Sequence, residues 1–452
     1  MRDGKVKTFA AVLALGLALS ACAAYTTRPL PPGPDLAPTP VRLTTDVSKL
    51  RLGPLKAHRF DPSDGLDPTE VAILAVLNSP DLQAKRAAAK VSAAQAFSAS
   101  LLPDPQVNVS LDFPVNPSAG YATAYNVAPN LDLMALITHA AALKSAKASA
   151  TQADLDLLWS EWNTAQQARQ LAVTAMANER KAEVLKRLAD QLADRYAQSQ
   201  AAMRQGDLAA SAVSADLAAE ADAQAALASA LHDAAKTRGD LNALIGLSPA
   251  AQLDLRPGGP IVDPEPTALD TAIAALPTRR PDLLALQAGY QAQSANLRKA
   301  ILSQFPVVNL GFSHAADTSA VLTNGLSATF VVPIFNRGRG EIAVQSATQE
   351  QLRAEYQARL DQTVADAAAA RREREAARRE VERLRLEVPR LRAMADQGAA
   401  ALHRGDLDSG AYMALEQSAL NHEVALLDQE LAFELADVSL ETVLFLPSDP
   451  GA

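Results

Sequence analysis

Three landmarks occur twice in this chain, in the same order and roughly two hundred positions apart, so the chain folds as two copies of one unit. Pro80-Asp81-Leu82 opens a helical pattern in the first half, and Pro281-Asp282-Leu283 opens one 201 positions later. Each pattern runs about 20 residues and ends near a proline, Pro103 or Pro306. Alternating segments follow, Val107-Asn108-Val109-Ser110-Leu111 and Val308-Asn309-Leu310-Gly311-Phe312. A period of two gives a strand two unlike faces. Turn residues and a second strand-like run come next in both halves. Further on, Arg204-Gln205-Gly206-Asp207-Leu208 is matched by His403-Arg404-Gly405-Asp406-Leu407, 199 positions later. The predicted unit is helix, strand, strand, very long helix, tip, helix, with strands at about 106–115, 122–133, 307–316 and 325–335.

The long helices constrain the fold next. From Ala343 the chain has no glycine until Gly398, and Val381, Leu384, Val388 and Leu391 recur at steps of three and four. That is a heptad seam. Leu155, Leu158, Trp162 and Ala165 repeat the spacing in the first half, as do Leu185, Leu188 and Leu192. About 60 helical residues make a rod of roughly 90 Å, which has to pack sideways on neighbours. Pro389 lies inside the second rod and is expected to bend it or remove a hydrogen bond. Aromatics are only 4% of a chain that is 48% apolar, and an alanine-rich composition suits close-packed helices rather than a thick globular core. The charge run Arg371-Arg372-Glu373-Arg374-Glu375 reads as a solvated helix face.

The start of the chain reads as a secretory signal. Arg2, Lys5 and Lys7 precede an apolar run from Phe9 to Leu19, too short for a membrane-spanning helix. It ends in Leu19-Ser20-Ala21-Cys22, a lipobox pattern, and Cys22 is the chain's single cysteine. Residues 1–21 are therefore expected to be a lipoprotein signal peptide, with a covalent diacylglycerol and N-acyl lipid on Cys22. One cysteine excludes an intramolecular disulfide. Ala23, rather than Asp, follows it and favours the outer membrane. Residues 22–67 are expected to form a proline-rich extended tether, 68–250 the first repeat, 251–268 a proline-rich linker, 269–446 the second repeat, and 447–452 a tail. The net charge of −9 gives no basis for nucleic-acid binding.

The lipobox, the tether and the duplicated unit together resemble the TolC-like outer-membrane efflux protein family, lipoprotein branch. The sharpest motif runs from Phe330-Val331-Val332-Pro333-Ile334-Phe335-Asn336-Arg337-Gly338-Arg339-Gly340 to Ala343 and Ala347. It is similar to the family signature where the last strand turns into the long helix. Pro333 cannot donate to a strand ladder, and Gly338 and Gly340 give the backbone freedom to change course. The resemblance covers about residues 30–446. It implies a mainly α chain with a small β part, a homotrimer sharing a 12-stranded membrane barrel, and a long periplasmic α-helical barrel. The partners implied are a periplasmic adaptor (membrane fusion protein), an inner-membrane transporter and outer-membrane lipid.

The resemblance places the gate and the adaptor-docking surface at the periplasmic tips: Arg204, Gly206, Asp207 and Leu208, and Arg404, Gly405, Asp406 and Leu407. Glycine there suits a left-handed helix stop, and Asp207 or Asp406 is expected to cap the following helix. Near the tips only Asp408 is acidic in Asp408-Ser409-Gly410-Ala411, and Ala209-Ala210-Ser211-Ala212 has no acid. A strongly acidic constriction is therefore not expected. The first repeat departs from the pattern at Asn130-Leu131-Asp132-Leu133-Met134, which leaves the end of its second strand open.

Neither a catalytic set nor a phosphate-cradling loop is apparent, and the six histidines are scattered without a carboxylate cluster in sequence. No cofactor, metal or enzymatic activity is expected. Three functions remain: the passive duct of a tripartite efflux system for drugs, metals or other small solutes, the duct of a type I protein-secretion system, or a lipid-anchored coiled-coil scaffold without a pore.

Overall fold

The structure, a computed structural model, describes residues 25–115, 120–259, 266–331 and 334–446. Cys22, the signal peptide, Pro333 and residues 447–452 lie outside the described residues. Residues 25–36 belong to a separate unit without helix or strand. From residue 37 the elements in order are α1 (Gly53–Ala57), α2 (Pro68–Asn78), α3 (Pro80–Ser100), β1 (Gln106–Asp112), β2 (Ala124–Asp132), α4 (Leu133–Gln205) and α5 (Ala210–Ile245). Then come α6 (Pro266–Arg279), α7 (Pro281–Leu302), β3 (Val307–Ala316), β4 (Leu322–Val331), α8 (Arg339–Arg404) and α9 (Ser409–Leu444). Elements α2 to α5 correspond one for one to α6 to α9, with a hairpin between the second and third helix of each set.

The sheet is antiparallel in the order β1-β2-β3-β4, so the repeats meet at its centre and β1 and β4 are left as edges. The open strand boundary of the first repeat falls at Asp132, whose side chain accepts from Ala135 N–H and caps α4. The proline-to-helix starts of α3 and α7 lie at the predicted positions, because proline at the first helical turn loses no hydrogen bond.

α4 has 73 residues and α8 has 66, rods of about 110 and 100 Å. The seam of α8 buries Thr363, Ala367, Ala370, Arg374, Ala377, Val381 and Leu384, resuming at Ala395 and Gly398. From Thr363 to Leu384 every step is four or three, the spacing that keeps one stripe facing a neighbour. Most of these side chains are small, so the helices approach closely. A Cβ on Gly398 would lie 2.8 Å from Leu415 Cδ1 of α9. Pro389 sits inside α8, and the helix runs through it.

The helices form a wall. Toward the tips the packing order is α5, α4, α9, α8; toward the sheet it is α3, α4, α7, α8. One edge of the wall therefore carries β1, α3 and α5, and the other carries β4 and α8. Buried ion pairs link neighbours: Arg169 with Glu441, Arg374 with Asp437, and Arg86 with Glu161 at 2.7 Å. Breaking one member of such a pair leaves an uncompensated charge.

The tether is shorter than expected. Residues 37–67 are folded onto the first repeat, burying Leu43, Leu50, Leu52, Leu55 and Leu66 against α2, α4 and α5. The strand-like bridges Ala37 to Leu247 and Leu66 to Leu255 pin this segment, and α1 lies within it. Of the prolines that suggested an extended run, Pro40 opens the one-turn 3-10 helix Pro40–Arg42. Among the described residues no helix is long and apolar enough to cross a membrane.

Candidate functional site

The hairpins give the sheet two chemically different faces. The register pairs Val107 with Pro129, Val109 with Val127 and Leu111 with Tyr125. It also pairs Leu131 with Leu310, Leu310 with Ala328, Phe312 with Leu326 and Val308 with Phe330. All of these stand on one side, and Leu326 is 91% exposed in the single chain. The opposite side carries Asn108, Ser110, Asn126, Asn130, Asn309, Ser313, Ser327 and Thr329. Gly311 makes room there, since a Cβ at its position would meet Ser327 Oγ at 2.6 Å. Apolar on one face and polar on the other is the pattern of a sheet between lipid and water.

One polar group interrupts the apolar face. His314 lies 2.7 Å through Nδ1 from Asn324 Oδ1, and 3.3 Å through Nε2 from the Tyr125 hydroxyl. The tautomer with its proton on Nδ1 satisfies both: Nδ1–H donates to Asn324, and Nε2 accepts from Tyr125.

At the far end of the rods, the tips are alike. Gly206 and Gly405 sit at φ +86° and +79° and close α4 and α8. The next residue completes the turn: Asp207 N–H donates to the Ala202 carbonyl at 3.0 Å, and Asp406 N–H to Ala401 at 2.9 Å. This is the left-handed helix stop that glycine permits. The two aspartates are thus used in ending one helix and do not cap the next. α9 is capped by Asp408, which accepts from Ala411 N–H, and α5 starts after Ala209 without a side-chain cap. Asp406 instead accepts from Arg404 Nε at 2.9 Å. Arg204 is exposed, and Leu208 and Leu407 are half-buried.

Just above the tips, polar side chains that sequence spacing did not reveal fasten the four rods together. Arg392 donates to the buried Glu416 at 2.7 Å, and Gln191 reaches the same oxygen at 3.2 Å. Arg195 donates to Asp216 at 2.7 Å and to the Ser409 carbonyl at 3.2 Å. Donation to the Glu416 carboxylate holds the Arg392 proton more firmly than usual, and burial pushes the Tyr412 hydroxyl up. Arg392 and Glu416, like Arg195 and Asp216, stand on two helices either side of a tip, and Gln191 and Ser409 come from the other repeat, so no helical spacing in the sequence marks them as partners.

At the strand-to-helix turn, Gly338 has φ +67° and its N–H donates to Asn336 Oδ1 at 3.0 Å. Gly340 differs from expectation: it lies in the first turn of α8 without a left-handed φ. Phe335 is 97% exposed.

The fold also assembles a carboxylate cluster around one histidine, contrary to the sequence reading. His58, Asp67 and Glu70 offer ligand atoms within 4.8 Å of one another. Asp67 and Glu70 are the capping box of α2, and Arg256 contacts both at 3.4 Å. The carboxylates already accept from Thr69, Glu70, Asp61 and Asp67 N–H groups. The cluster is a structural junction of helix start and inter-repeat segment.

No family model and no curated protein matches the sequence. Solved structures do. The outer-membrane channel OprN superposes with a TM-score of 0.71 at 16% identity, covering 94% of this chain and 99% of that one. CusC, described in terms of folding and transmembrane channel formation, gives 0.69 at 15% identity, covering 93% and 99%. The outer-membrane protein VceC of Vibrio cholerae gives 0.68 at 16% identity, covering 84% and 97%. The chain has the TolC-like channel fold. OprN and CusC, which share that fold, are described as channels.

Proposed function

We propose that this protein is the outer-membrane channel subunit of a tripartite efflux system, passively conducting small solutes delivered by a periplasmic adaptor and an inner-membrane pump. The observation that carries this reading is a four-stranded sheet with one apolar face, one polar face and two open edges. Unpaired strand edges do not persist in lipid, and four strands do not close on themselves. Three copies joining β4 to β1 make a 12-stranded barrel with the apolar face toward lipid and the Asn, Ser and Thr face around a water-filled lumen. A coiled-coil scaffold would have no use for such a face.

In this reading the rods continue the lumen into the periplasm, and Gly206 to Leu208 and Gly405 to Leu407 form the end that meets the adaptor. A lipid on Cys22 anchors the chain to the same membrane. Energy comes from the pump, because conduction through the duct is passive.

The test is reconstitution of the purified full chain in a planar bilayer. Discrete conductance steps from a species of three copies are expected; a protein that stays monomeric and gives no steps overturns the reading. A deletion strain is expected to gain sensitivity to dyes, antibiotics or metals. Normal sensitivity with loss of a secreted protein would assign the duct to protein secretion instead.

A further inference from the structure

Toward the tips, the two outermost helices of the wall carry stripes of opposite charge at matching intervals. On α8, Arg372, Arg379 and Arg390 are spaced by seven and then eleven residues. On α5, Asp222, Asp233 and Asp240 are spaced by eleven and then seven. Both intervals return to the same helix face within about 20°, so each trio forms a straight stripe. All six residues are exposed. None of the three arginines, nor Asp222 or Asp233, has an ion pair among the described residues; Asp240 bonds Lys236 of its own helix at 2.6 Å. The arginine stripe lies opposite the buried seam of α8, on the side turned away from α9.

Within one copy the two stripes stand at opposite ends of the packing order α5, α4, α9, α8. They meet only when a second copy is added beside the first. The chain then runs antiparallel across the joint, because α5 leads away from its tip and α8 leads toward its own. Reversal of direction turns eleven-seven into seven-eleven, so all three charges align in one register: Arg390 with Asp222, Arg379 with Asp233, Arg372 with Asp240. Between the lower two pairs α8 presents Leu386, 65% exposed, toward the alanine-rich stretch Ala225-Ala226 of α5.

We propose that the joint between copies in the helical tunnel is an α8-to-α5 zipper of these three Arg–Asp pairs, which sets the axial register between neighbouring copies. The proposal rests on the trimeric channel reading and deepens it. The occupant is a second copy rather than another protein because the edges are continuous: β4 leads into α8, and β1 follows α3 on the α5 side. Covering the strand edge with a neighbouring copy brings the helix edges together as well.

The experiment compares assembly of the full chain in mild detergent by light scattering coupled to size exclusion. The doubly reversed chain R379E/R390E is expected to raise the concentration for half-assembly by about tenfold or more, with a stronger effect at low salt. Adding D222R/D233R in the same chain is expected to restore assembly. A cysteine pair, R379C with D233C, is expected to cross-link adjacent copies, while either cysteine alone does not. The zipper is overturned if R379E/R390E assembles as the natural chain does, or if R379C links to D240C in preference to D233C, which would place the register one heptad away. That cross-link decides the matter even where a charge variant folds poorly. A natural chain that is itself monomeric would instead overturn the channel reading.

Discussion

The Trp162 indole N–H donates to the Thr442 carbonyl at 3.1 Å, and the Phe445 ring meets the indole edge-on at a centroid distance of 4.9 Å. The longest helix of the first repeat is thereby tied to the last turn of the second. Trp162 is 1% exposed. Trp162→Ala should destabilise the fold by about 3–5 kcal/mol through the cavity and the orphaned carbonyl. Trp162→Phe should cost less, retaining most of the apolar contact. Thermal unfolding followed by helical circular dichroism orders the two; equal midpoints for Trp162→Ala and the natural chain would refute the role.

Glycines 338 and 340 should respond in opposite directions. Gly338 sits at φ +67°, so Gly338→Ala is expected to destabilise by about 1 kcal/mol. Gly340 lies in the first turn of α8 with nothing within 4 Å of an added Cβ, so Gly340→Ala should stabilise by about 0.5–1 kcal/mol. Denaturation midpoints of the two variants, measured side by side, check the sign of each.

Strand β4 offers a matched pair of substitutions. Leu326 stands on the apolar face and Thr323 on the polar one. Leu326→Arg should cost about 2–4 kcal/mol of membrane insertion, as for a charge on a lipid face. Thr323→Arg should insert normally and alter the ion preference of the pore. Insertion yield and single-channel reversal potential separate the outcomes; equal yields would mean that the faces are misassigned.

Glu434 on α9 is held above its ordinary value of 4.5, first by burial and then by the like charge of Glu430. A raised carboxyl pKa means that the folded state binds the proton more tightly than the unfolded state does. Its contribution is therefore fully favourable below 4.5 and is lost as pH rises through the raised value. Glu434→Gln should raise the melting temperature at pH ~7 and leave it nearly unchanged near pH ~4. A gain of the same size at both pH values would show that charge is not the cause.

The strands and the tips were legible because each rests on a local rule. Alternation marked Val107 to Leu111 and Val308 to Phe312, and glycine after a heptad seam marked Gly206 and Gly405. Helix α2 was not legible, because Val71 to Val76 are all buried and an apolar run has no periodicity to separate helix from strand. Helix α6 was obscured by Pro277, which lies within it. Residues 37–67 gave no pattern either. Their leucines are spaced to reach three different helices, so only the tertiary structure accounts for them. The aspartates after each tip glycine suit the capping of the helix that follows, but their backbone N–H groups close the helix before, and a side chain suited to capping says nothing about where its backbone N–H is spent.

Because β2 pairs with β3, the two hairpins lie side by side at the centre of the sheet, and each brings its own pair of long rods. Geometrically, the proposed ring is then a hexamer of half-chains, with two kinds of joint alternating around it. One kind is covalently supported and built from Leu131, Leu310 and their neighbours; the other has only non-covalent partners. Any movement that widens such a ring should therefore divide unequally, with the three unlinked joints yielding before the three linked ones.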